Sequence, residues 1–299
     1  HAIRWLAHDP ANDSLSWYLF NRARNHDDFR EALRHFRNPA QNFVFASREG
    51  DIALQMAGRF PLRAPGQGRF ISDGSDPGHD WRGWIPEEHE PVVLNPPEGF
   101  LGSANQRPVP SSYPYELGNR FSGYERGLRL HERLAGATEV TVEDMRQLQL
   151  DTFSHHAATA LPWMLARLDP EPLSGPEAEV YQILKDWNFH NDPEAIAPAA
   201  FEVWWRILYQ RLFGDRIEKA SMRPRLPRWD RAVDLMVQER LTGWFDDPAT
   251  PETETPETVV TDTFREMFGK MTEAHGTIGE GWRWTAHNPT AIPHMAYLD

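Results

Sequence analysis

Apolar and polar positions near the start of the chain predict a strand followed by a helix. Residues 2–7 (AIRWLA) are largely apolar, which favours a short strand. Residues 25–36 carry four apolar side chains at the spacing of a helix face, namely Phe29, Ala32, Leu33 and Phe36. Asn25 is a favoured N-cap residue, and Pro39 cannot continue the helix. A helix is therefore predicted over residues 25–36.

The next segment predicts a β-hairpin and then a series of turns. Two apolar runs in residues 42–58 (NFVFASREGDIALQMAG) flank the polar sequence SREGD, in which Gly50 is free to adopt a positive φ. Residues 61–97 are rich in Gly, Pro, Asp and Trp. Such a composition predicts connected turns over the edge of a sheet rather than long elements.

Beyond Arg126 the apolar residues recur at helical spacing, so residues 127–240 are predicted to be mainly helical, and a further helix follows a Pro-rich acidic loop. One helix begins with a capping signature from Thr141 to Asp144. Three others present an apolar face, formed by Val180, Ile183, Leu184 and Trp187, by Phe201, Trp204, Leu208 and Leu212, and by Val259, Val260, Phe264 and Met267. The strong periodicity around Trp204 and Trp205 favours core positions for this pair over a sugar-binding groove.

Composition and charge narrow the class of protein. With 299 residues, of which 40% are apolar, the chain can bury the core of one large or two moderate domains. The net charge is −13 and only three of the 31 basic residues are lysines, which argues against a nucleic-acid partner. The absence of cysteine excludes disulfides, Cys-ligated zinc and a Cys nucleophile. No apolar run is long enough to predict a membrane span.

Few motifs point to chemistry by themselves. The sequence contains no Gly-rich phosphate loop, no HExxH pair, no EF-hand and no G-x-S-x-G elbow. His155 and His156 are adjacent, so on a helix their side chains diverge and are poorly placed to bind one metal. The acidic pairs Glu87–Glu88 and Asp246–Asp247 leave a two-carboxylate glycosidase open as an alternative.

The stretch 99–126 (GFLGSANQRPVPSSYPYELGNRFSGYER) shows neither helical nor strand periodicity over most of its length. Loops of this length are uncommon in compact domains unless they are functional or disordered, and the aromatic content argues against disorder. Asn105 follows the short apolar run FLGSA, and its amide is suited to donate a hydrogen bond into a cleft. The alternative is that Asn105 only builds a turn.

The order of several motifs resembles the β-chain of the penicillin acylase (penicillin amidase) family, which belongs to the N-terminal nucleophile hydrolases. They are PAQNFVFASREGDIALQMAGRFPLR, DWRGWIP, LNPPEGFLGSANQRP, YPYELG, YERGLRLHERL and LQLDTFSHHAATALP, spread over residues 39–162. The helical region and GWRWTAHNPTAIPH continue the similarity less sharply to the end of the chain.

The resemblance implies an α+β fold, part of a four-layer αββα sandwich with antiparallel strands in residues 1–107 and mainly helices after about residue 127. Residues 1–126 would be the sheet-forming and active-site loop part, and 127–299 the helical part, of one catalytic domain truncated at both ends. The implied activity is hydrolysis of a linear amide, such as a penicillin side chain or an acyl-homoserine lactone. It uses an N-terminal Ser exposed by autocatalytic cleavage of a precursor.

Two residues of this chain match the family's active-site motifs. Asn105 falls on the position whose side chain helps to fill the oxyanion hole, and Arg126 on the arginine that holds the polar network of the site. An ordinary ion pair of Arg126 with Glu125 or Glu132 is the alternative. Other matched positions are expected to be structural, and among them Asn42 and Gly50 are expected to shape the hairpin.

No cofactor is implied for the chemistry, although some family members bind a structural Ca²⁺. In YPYELG the carboxylate is Glu116, whose register does not match, so the metal ligands stay unassigned.

His1 matches a position well inside the family's β-chain, so the nucleophilic Ser is expected outside these 299 residues. The chain is therefore expected to be an inactive internal fragment by itself. Its expected partners are a small N-acyl amide substrate and the remaining α-chain and β-chain segments of the same precursor. The resemblance implies a periplasmic or extracellular location. A catalytically silent scaffold that binds an acylated ligand or a partner is the main alternative function.

Overall fold

The computed structural model describes residues 1–64, 66–214 and 226–292, and the chain divides into two compact units, His1–Val142 and Glu143–Asp299. The first unit contains the sheet and the irregular 99–126 loop, and the second is helical. The predicted division after residue 126 into two parts of one catalytic domain stays a prediction.

A three-stranded antiparallel sheet lies in the first unit, with β1 (Gln41–Ala46), β2 (Ile52–Ala57) and β3 (Val92–Leu94) in that spatial order. The predicted hairpin is confirmed as β1 and β2, and Gly50 in the connecting turn has a φ of 101°. Only Gly adopts such a conformation without steric cost, which is why SREGD can turn here.

One face of this sheet packs against two helices, α1 (Asp13–Phe20) and α2 (His26–Leu33). The helix predicted over residues 25–36 is confirmed as α2, and the Asn25 side chain caps it by accepting a hydrogen bond of 2.8 Å from the Asp28 amide. The apolar contacts between helices and sheet form a small core, made by Phe29, Leu33 and Ala57 with Phe20, Ala23, Phe43 and Phe45 around them.

The strand predicted over residues 2–7 is wrong. These residues are irregular up to a 3₁₀ turn at Leu6–His8, and Ile3 is 79% exposed. A strand needs a neighbouring strand to pair its backbone groups, and no such neighbour lies beside this segment in the described part of the chain. Instead Arg4 makes a bidentate ion pair with Asp9, at 2.9 and 3.0 Å, which closes the segment on itself.

The predicted turns of residues 61–97 are confirmed for most of that segment. It contains 3₁₀ turns at Pro77–His79 and Glu87–His89 and the isolated bridge between Pro61 and Trp84. The short strand β3 is the addition that the composition did not predict.

The helical region after residue 127 is confirmed for the described residues. The helix α3 (Glu125–Leu134) follows the irregular loop. The helices after it are α4 (Val142–Gln149), α5 (His155–Leu165), α6 (Pro176–Lys185), α7 (Ala197–Tyr209), α8 (Trp229–Val237), α9 (Thr242–Phe245), α10 (Pro256–His275) and α11 (Trp284–His287). A π-helical turn, Gln210–Gly214, extends α7. Residues 215–225, and the end of GWRWTAHNPTAIPH at 293–294, lie outside the described residues.

The large core of the second unit is built around α7. Trp204 and Trp205 are 0% and 1% exposed, so the predicted core positions are confirmed for both. Trp204 donates a hydrogen bond of 3.1 Å from Nε1 to Thr263 Oγ1 on α10, which satisfies its buried N–H. None of the helices within the described ranges combines the length and the apolar character that a membrane crossing requires.

Candidate active site

The irregular loop predicted for residues 99–126 is confirmed up to the start of α3 at Glu125. Asn105 lies near its beginning with a φ of 65°, in the left-handed region that non-Gly residues seldom adopt. Asn tolerates this conformation better than most residues. Its backbone N–H donates to Ser103 Oγ at 3.2 Å, and its carbonyl accepts from the Ser122 amide at 2.8 Å. These bonds hold the backbone of Asn105 from both sides.

Side chains of the sheet and of the loop support this conformation. Asn42 on β1 donates from Nδ2 to Ser103 Oγ at 2.8 Å, which ties the loop to the edge of the sheet. The side-chain oxygen of Gln106 accepts from the Ala104 amide at 2.7 Å. A Cβ at Gly127 would approach Gln106 Cδ to 3.1 Å, so the loop packs closely on the first turn of α3. The loop is thus attached both to the sheet and to the helix.

Arg126 reaches back from α3 to the same turn. Its Nη2 donates to the Ala104 carbonyl at 2.7 Å, to Asn105 Oδ1 at 3.2 Å and to Ser122 Oγ at 3.3 Å. The structure therefore brings the two sequence-predicted residues into contact. No carboxylate lies within ion-pair distance of Arg126 among the described residues, so the alternative pairing with Glu125 or Glu132 is not present there.

The contact with Arg126 fixes which end of the Asn105 amide is available. A guanidinium only donates hydrogen bonds, so the amide oxygen of Asn105 faces it and the NH₂ group is directed elsewhere. Asn105 is exposed, and within the described ranges Nδ2 makes no hydrogen bond. The NH₂ group of Asn105 is thus a neutral donor that is available to a ligand, and the Arg126 cation at the oxygen of the same amide polarises it.

Asn105 lines a cleft of about 250 Å³. The other lining residues come from β1 and the residue before it, from β2 and from the irregular loop: Ala40, Gln41, Asn42, Met56, Gln106, Pro108, Arg120, Phe121 and Ser122. This volume is below that of cavities that enclose a drug-sized ligand. The cleft can therefore seat only part of such a ligand.

Sequence reasoning missed Asn42 as a contributor to this site, as well as Ser103, Gln106 and Ser122. Asn42 was expected to shape the hairpin, and it also fixes the loop through Ser103. Serines are common in any loop, so their spacing carries no signal that would single out Ser103 or Ser122.

Neither acidic pair of the glycosidase alternative is among the residues that line this cleft. Glu87 accepts a hydrogen bond of 2.6 Å from Arg34, and Asp246 Oδ1 accepts one of 3.1 Å from the Glu254 amide. Each therefore supports a local turn or helix end, and neither pair lines the cleft of Asn105.

The structural Ca²⁺ that the resemblance allows has no cluster of carboxylates beside Glu116 in the described residues. Glu116 accepts from the Gly66 amide at 3.3 Å and lies beside Arg63. No group of three His, Asp or Glu side chains suited to a metal ion occurs within the described ranges. The side chains of His155 and His156 point to different surroundings, as expected. The ring of His155 packs against Phe153, and that of His156 lies in an aromatic cluster, with its centroid 4.6 Å from that of Trp205.

Comparison with known proteins identifies the family to which this chain belongs. The model of the family described as penicillin amidase matches residues 1–298. The chain belongs to the penicillin amidase family. The resemblance inferred from the motifs between residues 39 and 162 is confirmed.

Members and relatives of the penicillin amidase family align over much of this chain. An acyl-homoserine lactone acylase, QuiP, of Pseudomonas fluorescens (strain Pf0-1) is 26% identical over 291 residues, which are 90% of this chain and 35% of the relative. The penicillin acylase 2 proenzyme of Pseudomonas sp. (strain SE83) is 31% identical over 169 residues, which are 56% of this chain and 21% of the relative. The chain thus spans about a third or less of the length of these relatives.

A solved structure shares the fold. The thermostable penicillin G acylase from Alcaligenes faecalis matches with a TM-score of 0.66 at 15% identity, over 90% of this chain and 53% of that chain. The predicted α+β class, with antiparallel strands early and helices after about residue 127, is confirmed, and the chain has part of the fold of a penicillin acylase.

Proposed function

We propose that this chain supplies the oxyanion-stabilising face of an enzyme that hydrolyses linear N-acyl amides. The observation that carries the proposal is the Asn105 amide, whose oxygen accepts from Arg126 at 3.2 Å and whose NH₂ group is available beside a cleft. Family membership and the acylase names of the relatives support amide hydrolysis as the reaction class.

The proposed reaction proceeds through an acyl-enzyme. The Oγ of an N-terminal Ser, supplied by a segment outside this chain, attacks the amide carbonyl while its proton passes to the α-amine of the same residue. The carbonyl oxygen becomes an oxyanion, to which Asn105 Nδ2 donates a hydrogen bond. The C–N bond then breaks and the departing amine takes the proton. Water hydrolyses the acyl-enzyme by the same steps of attack, proton transfer to the α-amine and bond cleavage.

A neutral amide suits this position. It stabilises developing negative charge without adding a full positive charge beside the α-amine, which has to stay unprotonated to act as a base. Arg126 is assigned as a positioning residue. It does not touch the oxyanion but holds the amide oxygen, so that the N–H is already oriented before the charge develops.

The substrate assignment is tested with the intact protein on a panel of N-acyl compounds. Acyl-homoserine lactones of increasing chain length and phenylacetyl amides are expected to release amine and acid in equal amounts, measured by mass spectrometry. Hydrolysis of chromogenic glycosides without amide cleavage would support the glycosidase instead. Tight binding of an N-acyl compound without turnover would support the silent scaffold.

Arg126→Met is expected to lower kcat by up to about 10²-fold, with a smaller change in KM, because a misplaced donor costs rate rather than binding. Methionine keeps a flexible, unbranched side chain but makes none of the three hydrogen bonds of Arg126. The matched control is Arg129→Met on the same helix, which should keep the kcat of the parent. Partial rescue by Arg126→Lys distinguishes positioning from a purely structural role, and unchanged kcat in Arg126→Met would contradict the assignment.

The remaining segments of the precursor are proposed to cover the apolar face of the sheet opposite α2. Val44, Leu54 and Val93 lie side by side on this face in the strand register, and Val44 is 64% exposed. Exposed apolar patches of this kind mark interaction surfaces. Val44→Asp should therefore reduce the yield of the assembled intact protein on size-exclusion chromatography, whereas Glu49→Ser in the exposed hairpin turn should not. Equal yields would contradict the proposal.

A periplasmic or extracellular location of the intact protein is part of the same proposal, on the basis of family membership. Fractionation of the source cells tests it directly. Recovery of the intact protein in the cytoplasmic fraction would contradict it.

A further inference from the structure

A second cleft lies on the other side of the sheet, between β2, α2 and the turn at residues 84–90. Its volume is about 200 Å³. Successive side chains of a strand point to opposite faces, so Gln55 faces this cleft while Met56 faces that of Asn105. The two clefts are therefore separate features of the first unit.

Gln55 is a polar side chain on a face that is otherwise apolar. Its neighbours on this face of β2, Ala53 and Ala57, are both 1% exposed, and Gln55 is 5% exposed. The side-chain oxygen of Gln55 is buried and accepts no hydrogen bond within the described part of the chain. Buried acceptors without a donor are rare in native proteins because their desolvation is uncompensated. This cleft wall therefore presents an acceptor that requires a donor.

Arginines dominate the charge of the cleft, which Arg30, Arg34, Arg37 and Arg59 line. Arg34 is paired with Glu31 and Glu87, each at 2.6 Å. Within the described ranges, the other three have no carboxylate within 4 Å, and Nε of Arg30 is buried without a hydrogen-bond partner. Arg59 lies over the ring of Trp84, at 4.0 Å from its centroid. The cleft thus contains a buried donor, Arg30 Nε, and a buried acceptor, Gln55 Oε1, that make no hydrogen bond within the described ranges.

The acidic residues of the cleft do not balance these cations. Glu87 is already engaged by Arg34. Burial raises the pKa of Glu90 to about 7, with a further contribution from Glu87 and an opposing one from Arg30. Glu90 therefore carries only part of its charge at neutral pH. The cleft is positive and favours an anion.

We propose that this cleft binds a small oxyanion, a carboxylate or a phosphate, that also carries an O–H or N–H donor. Arg30 and Arg59 hold the oxyanion, as guanidinium groups bind carboxylate and phosphate oxygens well. The donor group of the ligand bonds to the side-chain oxygen of Gln55. This site lies apart from Asn105, so the proposal does not rest on the proposed hydrolase function.

The test is isothermal titration calorimetry of the intact protein at constant ionic strength in chloride. Glycolate and acetate form a matched pair of probes, because they are monocarboxylates that differ by one hydroxyl group. Glycolate and inorganic phosphate should bind saturably, and acetate about tenfold more weakly, since it offers no donor to Gln55. Equal affinities for glycolate and acetate, or no saturable binding of any probe, would overturn the proposal. The absence of saturable binding would also be observed if another segment of the intact protein fills the cleft, and it overturns the proposal in that case too.

Variants locate the binding. Gln55→Met keeps the size of the side chain and should abolish the difference between glycolate and acetate. Arg30→Met should weaken all three probes at least tenfold, and Arg48→Met in the exposed hairpin turn is the matched control that should weaken none. If Gln55→Met does not fold, Arg59→Gln provides the second test, because it alters a partly exposed side chain. Unchanged binding in both Arg30→Met and Arg59→Gln would assign the site elsewhere.

Discussion

In the intact protein, Asn105→Ala is expected to lower kcat for amide hydrolysis by about 10²–10³-fold, with little change in KM. The loss falls on kcat because the proposed hydrogen bond from Nδ2 strengthens as the carbonyl oxygen becomes an oxyanion. Substrate binding depends less on this donor, since a ground-state carbonyl oxygen carries little charge. Burst and steady-state kinetics with one chromogenic N-acyl substrate measure both quantities.

The backbone of Asn105 requires a second variant. Its φ of 65° is unfavourable for alanine, so Asn105→Ala removes the amide and also strains the loop. Glycine adopts this conformation freely, and Asn105→Gly therefore deletes the side chain with the loop in place. Both variants should show the same large loss of kcat. Cleavage of the precursor has to be monitored separately by mass spectrometry, since an unprocessed protein would be inactive for another reason.

Asn95→Gly is the matched control, because Asn95 is another asparagine of the first unit with a positive φ, here 47°. Its side chain accepts from the Ile52 amide at 2.9 Å and donates to Asp51 at 2.8 Å, so its role is to hold the start of β2 against the end of β3. This variant should lower stability but leave kcat unchanged. Near-normal kcat in Asn105→Gly would overturn the oxyanion assignment.

Elements with strong local signals were predictable from the sequence. The helix α2 has a capping residue, Asn25, and an apolar stripe, and the β1–β2 turn has Gly50 where a positive φ is required. These signals act over a few residues and need no information about the rest of the fold. The same locality explains the wrong strand at residues 2–7, since an apolar run does not say whether a partner strand lies beside it.

The helix α1 was missed because its sequence, DSLSWYLF, has no apolar stripe. Its large apolar residues fall on several sides, and Trp17 and Tyr18 are 57% and 59% exposed. Its N-terminus also lacks a side-chain cap. Tertiary contacts support this helix in place of a local sequence pattern. The ring of Phe20 packs against Phe29 of α2 and Phe43 of β1, with ring centroids 5.1 and 5.4 Å apart.

The candidate site was less accessible to pattern reasoning than the fold. Asn105 and Arg126 are 21 residues apart across an irregular loop, and no periodicity predicts their contact. The irregular loop pointed to Asn105 as a candidate donor, but only the family resemblance gave it a role and singled out Arg126, and both roles stay a prediction. For the second cleft a signal did exist, because alternation along β2 puts Gln55 between two alanines on the face that the structure buries. No local pattern places Arg59 beside Arg30, Arg34 and Arg37, which the fold brings together in this cleft.

The titration of His156 is expected to give the second unit a marked acid sensitivity. His156 is in the first turn of α5, with its ring between those of Trp205, Trp229 and Phe201 at 4.6, 5.5 and 5.6 Å. Its Nε2 is buried and has no hydrogen-bond partner within the described ranges. Burial lowers the pKa of His156 from 6.5 to about 4, and the nearby Asp230 opposes the shift in part. The folded protein therefore keeps this imidazole neutral at pH values at which the unfolded chain binds a proton.

The sign of the pH dependence follows from this difference. Below about pH 6.5 the unfolded chain takes up a proton that the folded state does not, so stability falls with falling pH until the folded pKa near 4 is reached. The lowered pKa corresponds to a loss on the order of 3 kcal/mol across this window. His156→Phe fits the aromatic surroundings and removes the titration. Urea unfolding followed by circular dichroism at pH 7.5 and 4.5 should show a smaller acid-induced loss in this variant than in the parent.

Asp230→Asn tests the same titration from the opposite direction. Without this carboxylate the pKa of His156 should fall further, because the one contribution that favours the imidazolium is removed. The pH range over which stability is lost then extends to lower pH. The variant also loses the ion pair between Arg228 and Asp230, which changes the free energy of unfolding by a nearly constant amount across this range. The double variant Asp230→Asn with His156→Phe should no longer show the wider pH range but should keep the constant change in the free energy of unfolding. This comparison separates the two effects. An identical pH dependence in the parent and in His156→Phe would show that other groups cause the acid sensitivity.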